Sequence, residues 1–597
     1  MGHLTKNRLI RSVTLAVAVA LALCPSMALG QGDAKPTLKD KVESVTQSQS
    51  GGSQTGVQQT DRMAYDLERV GVDNSKPLSL SLQDAIAMAL GKNRDIEIER
   101  ASIQMSEQDL LAARGAYDPT VGATTYFQSH TIPTSSILQG AANFKLTDNT
   151  LVYSPTFQQQ LPTGGNYILN FDNSHLSTTN SFASIQPSYN STLTFSFSQP
   201  LLRNFKLDRN RRQILVAKRR LDLSDSQFKQ KVIEIISNVQ HAYWDLVYSI
   251  REVQVKQEGV KWADDQLRRN RNLVAAGTLA PVEIVAAEAE VKRREEDVLT
   301  TVESVTRAEN TLKGMLLADR TAPEWESVII PTEKDEPAQS VVDLSDAVQT
   351  ALANRPELEQ LKVQDELNNI DVKFYKNQTK PQLDFVGLYG ITGLAGAQSL
   401  ADNPLLALNN ILLARVNQLS ALQGLTPLPG IPNTVPPSAI GGQGQAFSNL
   451  FSNDFRTFKI GVSFNLTIHN RTAEGNLGRS LAQKRQISAQ RQKAEELVQI
   501  DVRNAMQALK TAQKRIEAAR AARIASERQL ESEIRQYQAG ESTNFLVLTR
   551  QNDLSDIKGR EVRALTDYNK AIVDLQRAMA TTLQSHNVTT VSTHPAN

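Results

Sequence analysis

The sequence predicts an α+β fold in which an internally duplicated unit combines long coiled-coil hairpins with a small number of amphipathic strands. Three observations predict this fold: an apolar ladder with a spacing of seven, a second ladder 263 residues further on, and alternating segments beside each ladder. A sustained spacing of seven is typical of a coiled-coil helix. A period of two is typical of a strand with one apolar face.

The first ladder occupies residues 232–274. It stops at Ala276-Gly277, where glycine suits the end of a helix, and Pro281 suits the first turn of the next one. A further ladder follows this tip, so the sequence predicts two long helices that fold back on each other. The rungs are Val232, Val239, Leu246, Val253, Val260, Leu267 and Val274 before the tip, and Ile284, Val291, Val298, Val305 and Leu312 after it.

The same construction recurs in residues 502–575. Ala539-Gly540 takes the place of the first tip, and only Arg523 interrupts the apolar series before it. Helical structure alone would not repeat a tip and a ladder at one shared offset, so we infer a duplicated unit. The rungs of this copy are Val502, Leu509, Ile516, Leu530 and Tyr537, then Val547, Leu554, Tyr568 and Leu575.

The N-terminus has the features of a secretory signal, with basic Lys6 and Arg8 before an apolar run at 13–23. The single cysteine, Cys24, is expected to leave with the signal, so the mature chain has neither a disulfide framework nor a thiolate metal site. A lipoprotein acylated at Cys24 is disfavoured because Leu23 is bulky. No later run of about 20 apolar residues exists, so any membrane crossing is expected to use β-strands.

These features divide the chain into six predicted segments. Residues 31–77 are rich in Ser, Gln and Gly, a composition that predicts a flexible extension. A linker with three prolines separates the two repeats. The segments are the signal peptide 1–30, the extension 31–77, the first repeat 78–320, the linker 321–342, the second repeat 343–583 and a flexible tail 584–597.

Each repeat begins with a capped helix, at Ser81 or Asp343, and changes to alternating strands after Pro119 or Pro381. The first helix is expected to run unbroken from residue 82 to about residue 117. A clear strand lies at 458–467, where apolar and polar residues alternate over about the length of a tilted transmembrane strand. A soluble sandwich is the alternative for one isolated strand, but no further run of strands could complete such a core. We therefore expect strands in a membrane, with both hairpins on one side.

Residues 151–161 and 166–173 resemble two further strands joined by a glycine-containing turn. They could cross the membrane, giving six strands per chain, or extend beyond it as a hairpin. Even six strands are too few for a closed barrel, which needs about eight. Since open edges in lipid leave unpaired backbone groups, the chain is expected to share its barrel with copies of itself. The 392–454 loop contains an amphipathic stretch near 405–422, to which the sequence assigns no role.

Several motifs resemble the TolC family of outer-membrane efflux proteins, over about residues 78–583. They are Leu80-Ser81-Leu82-Gln83-Asp84-Ala85-Ile86, Ser198-Gln199-Pro200-Leu201-Leu202 and the two Ala-Gly tips. The resemblance implies a homotrimer in the outer membrane of a Gram-negative-type bacterium, with a twelve-stranded β-barrel, four strands from each chain, above a periplasmic α-barrel. It also implies a passive exit duct of a tripartite efflux or type I secretion system, energised by an inner-membrane transporter through a periplasmic adaptor (membrane fusion) protein.

The resemblance also assigns candidate functional residues. Glu283 and Tyr537 match periplasmic gate positions. Ser542 stands where the family has a basic partner, and Leu546 and Thr549 stand where it has pore-lining carboxylates. A gate in this chain is therefore expected to have a different chemistry. The adaptor-docking tips are Ala276, Gly277, Thr278, Leu279, Ala539, Gly540, Glu541 and Ser542.

The sequence contains no catalytic constellation, so no enzyme activity, cofactor or metal site is expected. The seven histidines are scattered, and no phosphate-binding loop or nucleophile elbow is found. The net charge of +2 and the lack of a basic patch with aromatics argue against nucleic acid as a partner. The expected partners are copies of the chain, outer-membrane lipid, the adaptor and the transporter. The alternative function is a periplasmic or surface-anchored coiled-coil scaffold without channel activity.

Overall fold

A computed structural model describes residues 69–136, 140–141, 144–333, 342–399, 404–429 and 435–589. The predicted signal peptide, Cys24 and most of the predicted extension lie outside the described residues. The elements follow one another in a similar order in the two halves of the chain. They are β1 (Asp73–Leu80), α1 (Leu82–Lys92), α2 (Arg94–Arg114), β2 (Thr120–Pro133), β3 (Lys145–Gln160), β4 (Asn166–Thr178), β5 (Ile185–Pro200), α3 (Arg209–Ala275), α4 (Val282–Leu316), β6 (Ser327–Pro331), α5 (Leu344–Asn354), α6 (Pro356–Gln378), β7 (Gln382–Gln398), α7 (Pro404–Leu422), α8 (Gln443–Ser452), β8 (Phe455–Asn465), α9 (Arg471–Gln538), α10 (Asn544–Ala578) and α11 (Thr582–Ser585).

Two helical hairpins, α3–α4 and α9–α10, dominate the structure. α3 has 67 residues, which is about 100 Å at 1.5 Å per residue. The predicted ladders form the seams of both hairpins: Val239 and Leu246 are fully buried in the first, and Val502 and Val547 in the second. No helix in the described parts of the chain is both long and apolar enough to cross a bilayer.

The first helix is broken, whereas the sequence predicted one continuous helix. Asn93 ends α1, and its side-chain oxygen accepts from the Asp95 N–H at 2.8 Å, which caps α2. The amide of Asn93 also donates to the Met315 carbonyl at 3.0 Å, so the break meets the end of α4. The second copy breaks at the equivalent Arg355, whose Nε donates to the Ala578 carbonyl of α10 at 2.8 Å. In each repeat the helix after the break, α2 or α6, therefore begins beside the end of the second helix of the hairpin, α4 or α10.

The predicted helix caps at the start of each repeat are confirmed. The Ser81 hydroxyl oxygen accepts from the Asp84 N–H at 3.0 Å. In the second repeat the Asp343 carboxylate accepts from the Ser345 N–H at 3.0 Å. Such side chains satisfy backbone donors that a helix cannot satisfy internally.

A small parallel sheet of β1 and β6 lies where the sequence predicted irregular chain. Residues 73–77 fall in the predicted extension, and β6 falls in the predicted linker. A buried ion group holds this region against α4: the Glu309 carboxylate lies 2.6 Å from Arg69 Nη1 and 2.6 Å from Lys313 Nζ. Lys313 also donates to the Trp325 and Ser327 carbonyls, at 2.8 and 2.6 Å. Because the two strands are about 250 residues apart, no local pattern reveals their pairing.

The first residues of the predicted C-terminal tail pack against the helices. α11 includes residues 584 and 585, and Val588 packs with the buried side chains of Val232 and Ile236. The His586 ring contacts the Gln240 side chain. Burial lowers the pKa of His586, which favours a neutral ring in this contact.

An ion pair replaces the apolar rungs at one level of the α9–α10 seam. Arg523 interrupts the ladder of α9, and Glu561 stands at the missing rung of α10, seven residues after Leu554. Arg523 Nε lies 2.6 Å from Glu561 Oε2, with the two side chains 31% and 15% exposed. The interruption seen in the sequence is thus matched across the seam.

Replacing both partners with leucine is expected to preserve or raise the Tm, because two apolar rungs restore the heptad seam and remove the desolvation cost of the pair. Glu561→Leu alone leaves Arg523 in the seam without this partner, and we expect a loss of about 1 kcal/mol. Thermal unfolding of the purified variants, followed by circular dichroism, measures both effects. A double variant less stable than Glu561→Leu would contradict this interpretation.

The remaining six strands form one antiparallel sheet in the order β2-β3-β4-β5-β7-β8. The predicted turn between β3 and β4 is confirmed: the Leu161 N–H donates to the Gly165 carbonyl at 2.7 Å, and Gly164 has φ +85. Thr163 in this turn donates to Gln199 at 2.8 Å, near the end of β5 that leads into α3. The hairpin therefore returns to the helical end of the sheet. The chain contributes six strands to this sheet, not the four that the family resemblance implied.

One face of the sheet carries an apolar row across all six strands, and the opposite face is mainly polar. Directly paired residues form one apolar row, and the next residue of each strand lies in a row of polar or small residues on the opposite face. The apolar row is Val121, Phe157, Leu169, Phe195, Tyr389 and Phe458, and the opposite row is Gly122, Thr156, Asn170, Thr194, Gly390 and Thr457.

Candidate docking tips and gate

Both hairpin tips have the same helix cap. Gly277 has φ +74 and Gly540 has φ +78, a region that favours glycine. The Gly277 N–H donates to the Val274 carbonyl at 2.9 Å, and the N–H of the next residue donates to Leu273 at 3.0 Å. The second tip repeats both bonds, at 3.1 and 2.9 Å. This pair of bonds closes each helix and fixes the direction in which the chain turns.

The predicted docking residues lie on the surface of the tips. Six of the eight are exposed, and only Leu279 and Ser542 are half-buried. Three apolar side chains beside them, absent from the predicted set, are more exposed than a seam position would be: Val282 at 66%, Val285 at 65% and Phe545 at 74%. The sequence contained a signal for this exposure, since none of the three occupies a position of the seven-residue ladders. Each tip therefore combines a rigid turn with exposed apolar surface.

The predicted gate residues Glu283 and Tyr537 are connected through buried amides. Asn544 Nδ2 donates to Glu283 Oε2 at 3.0 Å, and the Tyr537 hydroxyl lies 3.5 Å from Asn270 Oδ1. Between the two asparagines, Gln266 Nε2 donates to Asn270 Oδ1 at 2.9 Å and to Asn544 Oδ1 at 2.8 Å. These five residues form what we call the tip network.

The tip network joins the two hairpins of one chain. Gln266 and Asn270 lie on α3, Glu283 on α4, Tyr537 on α9 and Asn544 on α10. The three amide side chains are at most 4% exposed. Buried polar groups are costly when they lose a hydrogen-bond partner, so the network favours one relative position of the two hairpins.

The charge state of Tyr537 suits its place in the network. Burial raises the pKa of Tyr537, and the negative charge of Glu283 raises it further, while Arg269 opposes them. The hydroxyl therefore stays protonated at neutral pH and remains a donor. Arg269 itself donates from Nη2 to Gln266 Oε1 at 2.8 Å. The guanidinium of Arg269 thus binds the amide of Gln266.

The structure does not bring Ser542 to Glu283. The Ser542 hydroxyl donates instead to Glu533 within the second hairpin, and Arg550 Nε lies 3.9 Å from the same carboxylate. Thr549 donates to the backbone of its own helix, to the Phe545 carbonyl at 2.8 Å. These positions therefore take no part in the tip network.

Sequence reasoning missed the three amides of the network. Asn270 carried a signal, because it lies three residues after the rung Leu267, at a core position of the heptad. A polar residue at such a position commonly fixes the register or the partner of a coiled coil. Gln266 and Asn544 carried no comparable signal, since their contact joins residues 278 positions apart.

Two long hairpins that continue a sheet with one apolar and one polar face define the subunit of an outer-membrane channel. The sequence model of the outer membrane efflux protein family matches residues 85–316 and 347–581, one match in each repeat. The chain belongs to this family. The predicted fold class, outer-membrane location and efflux function are thereby confirmed, and the two long hairpins lie in the periplasm. The family consists of channel proteins.

The fold is also that of several solved structures. A membrane protein from Pseudomonas aeruginosa is 15% identical with a TM-score of 0.56, covering 85% of this chain and 96% of that chain. The outer membrane protein VceC from Vibrio cholerae is 14% identical with a TM-score of 0.55, covering 83% and 95%. The Campylobacter jejuni CmeC outer membrane channel is 15% identical with a TM-score of 0.52, covering 92% and 93%. A search of curated proteins found no match.

Proposed function

We propose that three copies of this chain form the passive exit duct of a tripartite efflux or type I secretion system. The observation that carries the proposal is the six-stranded amphipathic sheet, in which β2 and β8 are the edge strands. The chain belongs to the outer membrane efflux protein family, so this sheet is expected to lie in lipid. An open edge in lipid leaves backbone groups unpaired at several kcal/mol each. Pairing β8 of one copy with β2 of the next removes every edge when the ring closes.

The widths of the sheet and of the helical part support a ring with six strands per chain. Six strands about 4.8 Å apart and tilted by about 40° span roughly 38 Å of circumference. The helices form four columns, namely α3, α9 and the two stacked pairs α2–α4 and α6–α10. Columns spaced about 9–10 Å apart span roughly 36–40 Å. Three copies therefore give an eighteen-stranded barrel as wide as the helical tube below it.

The tips support docking to a periplasmic adaptor, which links the duct to an inner-membrane transporter. They combine capped, rigid turns with the exposed side chains of Val282, Val285 and Phe545. The family match favours the channel over the alternative of a scaffold. Purified trimers are expected to conduct ions in a planar bilayer, whereas a soluble monomer released by osmotic shock would contradict the duct.

The tip network supports a gate held by amide hydrogen bonds. Changing Asn270 and Asn544 to alanine removes the acceptors of Gln266 and the donor to Glu283. Because the two hairpins lose their buried connection, we expect the tips to separate and the single-channel conductance to rise severalfold. Planar-bilayer recording measures this rise.

A matched control separates opening from general loss of stability. Asn377 is also a buried amide, and its Oδ1 accepts from the Asn204 N–H at 2.7 Å at the opposite end of the hairpins. Asn377→Ala is expected to lower the Tm and leave the conductance of the closed channel unchanged. Equal conductance in the Asn270/Asn544 variant and the wild type would show that the tip network does not hold the channel closed.

A further inference from the structure

The segment between β7 and β8 has an unusual composition. Residues 403–453 contain one charged residue, Arg415, in a chain that is 21% charged overall. A surface loop in water is normally polar and charged. The composition therefore indicates that part of this segment lies against something other than water.

Helix α7 in this segment exposes an apolar stripe. Six of its large apolar side chains have exposed fractions from 42% to 84%. Their spacing of three or four residues places most of them on one side of the helix. An exposed apolar surface of this extent marks a site of interaction with a protein or a membrane. The residues are Leu408, Ile411, Leu412, Val416, Leu419 and Leu422.

Helix α8 shows on which side of the sheet this segment returns. The Phe447 ring lies 5.5 Å from Phe171, and Gln443 donates to the Ser191 hydroxyl at 2.7 Å. A side chain added at Gly393 would collide with the Ala446 carbonyl of α8. Phe171, Ser191 and Gly393 all lie on the face of the sheet that carries the apolar row. Helix α8 therefore covers the lipid side of the sheet. It lies beyond the apolar row, at the end of the sheet opposite to the long hairpins.

The chain returns to the end of β7 just before α8. Ile440 forms a bridge with Gly396, near the end of β7, and the Gly441 N–H donates to the Gly396 carbonyl at 2.9 Å. The segment that carries α7 thus begins and ends at the end of β7, and it continues directly into α8 on the lipid side.

We propose that α7 binds the external surface of the outer membrane, with its apolar stripe in the lipid interface. A helix with one apolar face and one polar face can lie in the plane of a membrane, with the apolar face buried about 5–10 Å into the headgroup boundary. In the proposed trimer, three copies form a collar of such helices around the barrel, which fixes its depth and tilt in the membrane. The inference rests on the outer-membrane location and is independent of the gate.

Spin labels on single cysteines test the orientation of α7. In a Cys24→Ser background the sequence has no other cysteine, so Leu412→Cys and the control Asn410→Cys can each carry one nitroxide. The two positions lie about 200° apart around the helix, at 100° per residue. The full chain is reconstituted in vesicles of phosphatidylethanolamine, phosphatidylglycerol and lipopolysaccharide. We expect the ratio of oxygen to nickel-chelate collision rates to be severalfold higher at 412 than at 410.

Two outcomes would overturn the proposal. Equal, high nickel accessibility at 412 and 410 would place α7 in water, and protection of 412 from both reagents would place it against protein, such as a second copy or the lumen wall. Conductance of the labelled channels is recorded in parallel. Since the label does not touch the tips, normal conductance together with a failed accessibility pattern would reject the lipid contact and leave the duct intact.

Discussion

A chain that lacks Lys145–Thr178 is expected to form a narrower channel than the wild type. The deletion removes β3 and β4 and leaves four strands. The direction of the chain is kept, because one complete hairpin is lost. Val121 and Phe195 lie in the same row of the sheet, so β5 can pair with β2 while each face keeps its polarity.

The expected size of this effect follows from barrel geometry. Diameter grows about linearly with strand number, so twelve strands in place of eighteen reduce it by roughly a third and the cross-section by about half. The smallest polyethylene glycol that fails to enter the barrel mouth should therefore be smaller for the deletion variant. The sheet also becomes narrower than the four helical columns, and we expect a lower Tm of the trimer.

Labelling of the full-length chain keeps this prediction testable if the deletion variant does not assemble. Cysteines at Phe157 and Leu169, on the apolar face of β3 and β4, should be accessible to oxygen in lipid. Cysteines at Thr156 and Asn170, their neighbours on the polar face, should react with water-soluble reagents. An unchanged polymer cutoff, or β3 and β4 labelling as water-exposed on both faces, would show that this hairpin is not part of the barrel wall.

The long helices and their ends could be predicted because their signals are local. Rungs such as Val239 recur every seven residues, and a glycine such as Gly277 can adopt the positive φ that a helix cap requires. The cap at Ser81 depends on the N–H of Asp84, only three residues away. All of these signals lie within one or two helical turns of the feature that they predict.

The features that escaped prediction depend on distant partners. The break at Asn93 is stabilised partly by the Met315 carbonyl, 222 residues later. The tip network connects Gln266 with Asn544 across 278 residues. The turn between β3 and β4 could be predicted from the sequence. Its position at the helical end of the sheet became known only from the contact of Thr163 with Gln199. The architecture was therefore more predictable than the gate, since polar contacts leave no periodic pattern.

Proline at both tips is expected to abolish efflux. Gly277 and Gly540 have positive φ values of +74 and +78, whereas proline is fixed near −65°. Proline also lacks the N–H that each glycine donates to the preceding helix, at 2.9 and 3.1 Å. Gly277→Pro with Gly540→Pro should therefore unwind both caps and displace the exposed apolar residues beside them. If the tips bind the adaptor, cross-linking to it and efflux of the transported substrate should fall close to the level of a strain without the channel.

Asparagine at the same two positions provides a matched control. Asparagine tolerates a positive φ better than other residues with side chains, and it keeps the backbone N–H. An added Cβ at Gly277 or Gly540 would meet nothing within 4 Å, so the side chain fits. The asparagine variant should keep most of the efflux and of the adaptor cross-linking.

The two variants together separate docking from folding. Both should reach the outer membrane as trimers and conduct ions in planar bilayers, because the tips lie far from the sheet at the opposite ends of α3 and α9. A proline variant that inserts normally yet loses efflux places the defect at the tips. Normal efflux and cross-linking in that variant would instead show that the adaptor binds elsewhere on the helices, and the exposed Val282, Val285 and Phe545 would then need another partner, such as the neighbouring copy in the closed ring.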